Sequence, residues 1–282
     1  MKKFILGLIS LMIMLTGCET VKRKNIIVLI DNSNSVPLVV MQRYINTIIN
    51  TIVPNMGTMD RLTIQFIDGC SQEKGERIYM VDLALTDFSK KTDGINRQAD
   101  SSRARLVRYL EKVKTEIAGT VLSKRAERKD CGQFTDIISA VNEAGKLFVS
   151  TTNYHSSFDK LLNSVQGEDN YTYENALVIF SDMVNEEVTK NYDFTTIGGL
   201  DKNGIEHLIT RLNTEGKIPQ LKQFKVLVYG ATSTVRKAEL AGRQIEHVKL
   251  FWSLFFSSAN ANLEGYGYDS QIELTNYLSA NH

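Results

Sequence analysis

The chain alternates between wholly apolar runs and stretches in which apolar residues recur at helical spacing. NIIVLI, Asn25 to Ile30, is apolar after its first residue and stops at Asp31. ALVIFSD (Ala176 to Asp182) and FKVLVYGAT (Phe224 to Thr232) have the same character. Such runs suit central parallel strands covered on both faces. RLTIQFID and RIYMVDLAL are also strand-like, and only the Gly- and charge-rich GCSQEKGE lies between them. That separation is short enough for a hairpin, so the second is expected to run antiparallel. Pro37 suits the first turn of a helix whose stripe is Met41, Ile45, Ile48 and Ile52, and Pro54 ends it. Leu106, Leu110, Val113, Ile117 and Val121 predict a long amphipathic helix. Ile137, Val141, Ala144 and Phe148 predict another that starts at Thr135. Polar residues 150 to 172 read as a loop with a short helix at FDKLLNS. Helices follow around Ile205 to Leu212 and at Ile245, Val248, Trp252 and Phe255, and residues from about Asn260 read as irregular. This order predicts an α/β fold: a mostly parallel central sheet with one antiparallel edge strand and helices on both faces, a three-layer sandwich. One domain is expected over residues 25–260, with a tail at 261–282.

The first residues read as a targeting segment. Lys2 and Lys3 precede an apolar run from Phe4 to Leu15, about right for a signal peptide and too short for a comfortable membrane span. The run ends in Leu15-Thr16-Gly17-Cys18, which resembles the bacterial lipobox, where the cysteine is lipidated and the chain is cleaved before it. An ordinary signal peptide with a chance cysteine is the alternative. On the lipobox reading residues 1–17 are the signal peptide, Cys18 carries a diacylglycerol anchor, and residues 18–24 are anchor and linker. The expected location is the bacterial cell envelope, and Glu19 favours the outer membrane if the cell is Gram-negative.

Charge narrows the partners. The formal net charge is +1, and removing Lys2 and Lys3 with the leader leaves 31 basic against 32 acidic residues, or −1. Such a balance gives no electrostatic case for nucleic acid or for an anionic lipid surface. Nine Lys or Arg lie between Arg103 and Lys129, but Glu111, Glu116 and Glu127 interleave with them, as on a solvated helix face. With Cys18 lipidated, Cys70 and Cys131 remain. In an exported protein they are candidates for a disulfide, with two separate buried thiols as the alternative.

Candidate chemistry clusters where strands end. Asp31, Ser33 and Ser35 alternate after the first strand, so in an extended turn they project the same way. Thr135 opens a helix, and Asp182 follows the strand ending in ALVIFS. Ligands of open α/β sheets bind at the carboxyl ends of the strands. Two carboxylates and three hydroxyls are hard donors, suited to Mg²⁺ or Mn²⁺ rather than to zinc or copper. Each residue also has an ordinary local reading as a turn or helix-cap residue.

DNSNS, a lone Thr before a helix, and an apolar strand ending in SD resemble, in that order and in those contexts, the von Willebrand factor A domain. The likeness covers roughly residues 25 to 260. That family's metal-ion-dependent adhesion site reads D-x-S-x-S, then T, then D. Its serines and threonine bind the metal directly, its aspartates bind directly or through water, and the ion grips an acidic side chain of a partner protein. The resemblance implies those roles for Asp31, Ser33, Ser35, Thr135 and Asp182. One departure is Met183, where many members have glycine. In this topology Cys70 and Cys131 both fall on the metal-bearing face, which strengthens the case for a disulfide pinning the metal-binding loop.

The expected function is a lipid-anchored, metal-dependent protein-binding module, for adhesion or envelope assembly, whose partner presents an acidic side chain. Catalysis is not expected: His155, His207, His247 and His282 are scattered and no general base stands out. A rival is a Mg²⁺-dependent phosphohydrolase of the haloacid dehalogenase type. It needs a second acid where Ser33 stands and paired acids where FSDM offers one. A degenerate structural domain that binds no metal is a third possibility. The chain has neither a Gly-rich dinucleotide fingerprint nor a P-loop pattern.

Overall fold

The apolar run after Asn25 lies within a ten-residue strand, β1 (Lys22–Asp31). The computed structural model describes residues 22–71, 76–86, 102–147, 172–187, 191–194, 202–222, 224–231, 243–267 and 271–279, and in it β1 is central to a six-stranded sheet. The other strands are β2 (Arg61–Ile67), β3 (Arg77–Asp82), β4 (Thr172–Phe180), β5 (Lys225–Tyr229) and β6 (Asn262–Gly267). Their order is β3-β2-β1-β4-β5-β6. All neighbours are parallel except β3, which pairs antiparallel with β2 at the sheet edge. β1 is flanked by β2 on one side and β4 on the other, so connections diverge at its carboxyl end, the place where such sheets form a ligand crevice.

The strand period of two divides the core. Ile26, Val28 and Ile30 of β1 face one layer, while Ile27 and Leu29 face the other. The first layer holds three helices. α1 (Leu38–Thr47) runs on through a π-helical turn, Ile48–Ile52, and buries Met41, Tyr44, Ile45, Ile48 and Ile52. α2 (Ser102–Glu127) buries Leu110, Val113, Ile117 and Val121. The third is a C-terminal helix, numbered α6 below. The opposite layer holds α3 (137–147), α4 (Lys202–Thr214) and α5 (Arg243–Ser258). Phe251, Trp252, Phe255 and Phe256 of α5 pack ring against ring at its centre.

Three boundaries differ from the sequence reading. Residues from Asn260 onward are not an irregular tail: β6 pairs in parallel with β5, and α6 (Gln271–Ser279) buries Leu274, Tyr277 and Leu278 in the first layer. β6 is short and contains Gly265 and Gly267, so it carries almost no apolar run to recognise. The domain therefore extends past residue 260, at least through Ser279. The expected linker at 18–24 overlaps β1, because Lys22, Arg23 and Lys24 are already strand. Arg23 and Lys24 are buried, a burial that basic residues do not announce. The helix expected from Thr135 starts at residue 137. Residues 1–21 with Cys18, together with Phe148, His155, FDKLLNS and His282, lie outside the described residues. Among the described residues no helix is long and apolar enough to cross a membrane.

Candidate functional site

Asp31 is the last residue of β1, and its carboxylate folds the next turn. Oδ1 accepts the Ser33 N–H at 2.9 Å, and Val36 N–H closes the turn on the Ser33 carbonyl at 3.0 Å. This brings the hydroxyls of Ser33 and Ser35 to 2.7 Å from each other. The alternating D-x-S-x-S side chains thus gather on one side of the turn.

The loop after β4 meets it. Ser181 Oγ donates to Asp31 Oδ2 at 3.2 Å and accepts the Met183 N–H at 3.0 Å. Asp182 Oδ1 accepts the Val184 N–H at 3.0 Å. Met183 takes a φ of 66°, the left-handed region that favours glycine. The turn persists because Met183 is wholly buried and its carbonyl accepts the indole N–H of Trp252 at 2.8 Å. The aromatic layer of α5 thereby holds the Asp182 loop.

Thr135 arrives from a third loop. Its N–H and carbonyl pair with Glu186 at 3.1 and 2.9 Å, which ties it to the chain just beyond Asp182. Asn185 joins the same junction, its Oδ1 accepting the N–H groups of Ile137 and Ile138 at 2.8 and 3.1 Å. Asp136, whose Oδ1 accepts the Ser139 N–H at 3.0 Å, caps α3 in place of Thr135. The same loop touches the first: Asn34 N–H donates to the Gly132 carbonyl at 2.6 Å. A Cβ at Gly132 would lie 2.7 Å from Asn34 Oδ1 and 3.1 Å from the Asn32 carbonyl, so glycine permits this close approach.

The loop after β2 braces the third loop from the side. Cys70 and Cys131 are disulfide-bonded, with Cα atoms 5.3 Å apart. Gly69 N–H donates to the Cys131 carbonyl at 2.8 Å. Buried Asp68 accepts from both Nε and Nη2 of Arg128, at 3.0 and 2.8 Å. Asp68, Cys70 and Cys131 lie close enough to resemble a metal-binding group, but the sulfurs are bonded to each other and the carboxylate is held by Arg128.

The electrostatics converge on Asp31. It is 2% exposed, and burial first, then the negative charge of Asp182, pushes its carboxyl up to about 7 against hydrogen bonds from Ser33 and Ser181 that favour the charged form. Tyr266 of β6 is raised by burial and also feels Asp182. Arg125 of α2 is lowered by burial, partly offset by the charge of Asp31. Its Nη2 donates to the Val36 carbonyl at 2.6 Å, while its Nη1 is buried without a hydrogen-bond partner. Ser33 and Thr135 are buried, whereas Ser35 and Asp182 are partly exposed, so the cluster is deep at Asp31 and open on one side.

A buried carboxylate beside a second one, with hydroxyls at hand, suits a hard divalent cation, which would offset the repulsion between Asp31 and Asp182. Among the five expected residues, hydrogen bonds join Asp31, Ser33 and Ser35. Asp182 reaches Asp31 through its charge and through neighbouring Ser181. Thr135 joins by backbone pairing with the Asp182 loop. Ser181, Arg125, Arg128 and Tyr266 were not singled out by the sequence. Ser181 had a signal, a hydroxyl directly before the strand-end acid. Arg125 of α2 and Arg128 just past its end had none, since nothing separates them from the neighbouring cations. Compared with known proteins, the chain matches no family model and no curated relative.

Proposed function

We propose that the chain is a lipid-anchored, metal-dependent protein-binding module of the bacterial cell envelope, similar to von Willebrand factor A domains. Asp31, Ser33, Ser35, Thr135 and Asp182 would hold Mg²⁺ or Mn²⁺. The observation that carries this reading is the meeting of two strand ends 150 residues apart: Ser181 Oγ on Asp31 Oδ2, with Asp182 raising the Asp31 carboxyl. The left-handed turn at Met183, where that family commonly has glycine, supports the same loop geometry. So does an antiparallel edge strand on an otherwise parallel sheet. The bound ion would supply a positive contact for a carboxylate oxygen of a partner protein. Partly exposed Ser35 and Asp182 mark the side from which that carboxylate would approach. No step of catalysis is assigned to these residues. The lipid anchor is supported by Leu15-Thr16-Gly17-Cys18 after an apolar run.

Calorimetric titration of residues 19–282 with Mg²⁺ and Mn²⁺ tests the site. Binding is expected in the wild type and lost in Asp31→Ala; absence of binding, or binding indifferent to the substitution, refutes it. Turnover of phosphate esters would favour the phosphohydrolase instead. A pull-down from envelope extracts with and without chelator would then find the partner.

A further inference from the structure

We infer that the amino-terminal edge of the sheet is the surface apposed to the membrane, and that the Asp31 face is presented on the far side of the domain, roughly 30 Å farther from the bilayer (nine strand steps of about 3.3 Å). This rests on the lipid anchoring proposed above, and not on the metal.

The geometry follows from where the sheet begins. Lys22 is already paired in register with Thr172, so β1 starts four residues after Cys18. Whatever path residues 19–21 take, four peptide steps span at most about 14 Å. The start of β1 is also firmly held. Lys24 N–H donates to Asp60 Oδ1 at 2.8 Å, its ammonium reaches the Leu278 carbonyl of α6, and the Tyr277 ring lies below it at 6.0 Å. There is no room for a long stalk: an acyl chain on Cys18 draws this edge onto the headgroup layer. β1 then runs through the sheet to Asp31 at the opposite edge.

Two cations of the near edge are paired with carboxylates of neighbouring strands. Lys225 pairs with Glu174 at 2.8 Å, and Arg61 donates to Asp82 at 3.0 Å. Cations paired in this way add little attraction for acidic headgroups, so the anchor is expected to supply most of the affinity. A partner of the Asp31 face must then approach from the aqueous side, as a soluble protein or one displayed on another surface.

Energy transfer from single labels to acceptor-labelled lipids tests this on the full acylated chain, in phosphatidylcholine vesicles. Asn262→Cys places a donor at the near edge, since Asn262 pairs with Lys225 at the start of β5. Val39→Cys places one in the first turn of α1, 69% exposed and just beyond the Asp31 turn. With Cys18 acylated and Cys70 bonded to Cys131, each introduced thiol is unique. Transfer is expected to be several-fold stronger from position 262 than from position 39, with or without Mg²⁺, and unchanged by added anionic lipid. Equal transfer, or stronger transfer from position 39, overturns the orientation. An unmodified Cys18 by mass spectrometry, with no co-sedimentation with vesicles, overturns anchoring and orientation together. Acylation with equal transfer overturns the orientation alone.

Discussion

A carboxyl group almost wholly out of water, beside a second carboxylate, is costly to charge, and Asp31 is in that position. The consequence has a definite sign. Between the ordinary value of 3.8 and about 7, folded Asp31 keeps a proton that the unfolded chain has released. Its contribution to the stability of the metal-free protein therefore falls as pH rises through that window, then levels off above about 7. Other carboxylates titrate in the same range, so the measurement is the difference between wild type and Asp31→Asn in chelator, by denaturant unfolding from pH 4 to 8. The variant is expected to gain on the wild type as pH rises, by an amount of the order of a few kcal/mol. Added Mg²⁺ should close the gap by stabilising the wild type alone. A difference that is flat with pH would mean that water or a shifted side chain solvates Asp31.

At the scale of elements, the third loop is the least self-sufficient part of the site and is held from outside. The disulfide bridges residues 61 apart in sequence. A closed loop of that length corresponds to about 4 kcal/mol of unfolded-state entropy, an upper figure for its contribution. Cys70→Ser with Cys131→Ser is therefore expected to lower the unfolding free energy by about 2–4 kcal/mol. It should also weaken Mg²⁺ binding by letting residues 131–135 drift from Asn34. Unchanged affinity in the folded double variant would show that the Arg128–Asp68 pair and the Gly69 and Asn34 hydrogen bonds position the loop unaided. α2 divides its cations accordingly. Lys112, Lys114 and Lys124 pair with Glu116, Glu111 and Glu127 at the surface, where such pairs contribute little. Arg125 turns inward to brace the loop after β1, and Arg128, just past the end of the helix, braces the loop after β2.

For the whole molecule, the C-terminal segment closes the fold. β6 covers the edge of β5, and α6 lies against the first layer with its Leu278 carbonyl on Lys24, so the last described helix touches the first strand. Ending the chain at Ala259 would bare the β5 edge and strip Leu274, Tyr277 and Leu278 from the core. At about 1.5–3 kcal/mol for each large apolar side chain, that loss approaches the whole stability of an ordinary domain. The truncated protein is expected in the insoluble fraction, with no cooperative unfolding in whatever remains soluble. A soluble product with a native-like transition would mean that residues 260–279 are an accessory, as their composition alone suggests.

Residues 26–30, 177–180 and 226–229 announce buried strands because a strand covered on both faces has no polar side to show, and four-, three- and four-residue steps announce α1 for the converse reason. The chain order of Asp31, Ser33, Ser35, Thr135 and Asp182 was equally legible, since each stands where an apolar pattern stops or, for Thr135, starts. β6 was not, because its place depends on the edge that β5 leaves open and not on a pattern of its own. Nor were Arg125 and Arg128, since a run of cations along and just past a helix does not say which of them point inward. The bond between Cys70 and Cys131 required two loops to arrive within 5.3 Å, Cα to Cα, of each other. Local sequence therefore determined the central strands and most of the helices, but not β6 or α6. Only tertiary packing decided which strand ends meet, because pairing across 150 residues is set by the whole sheet rather than by either partner.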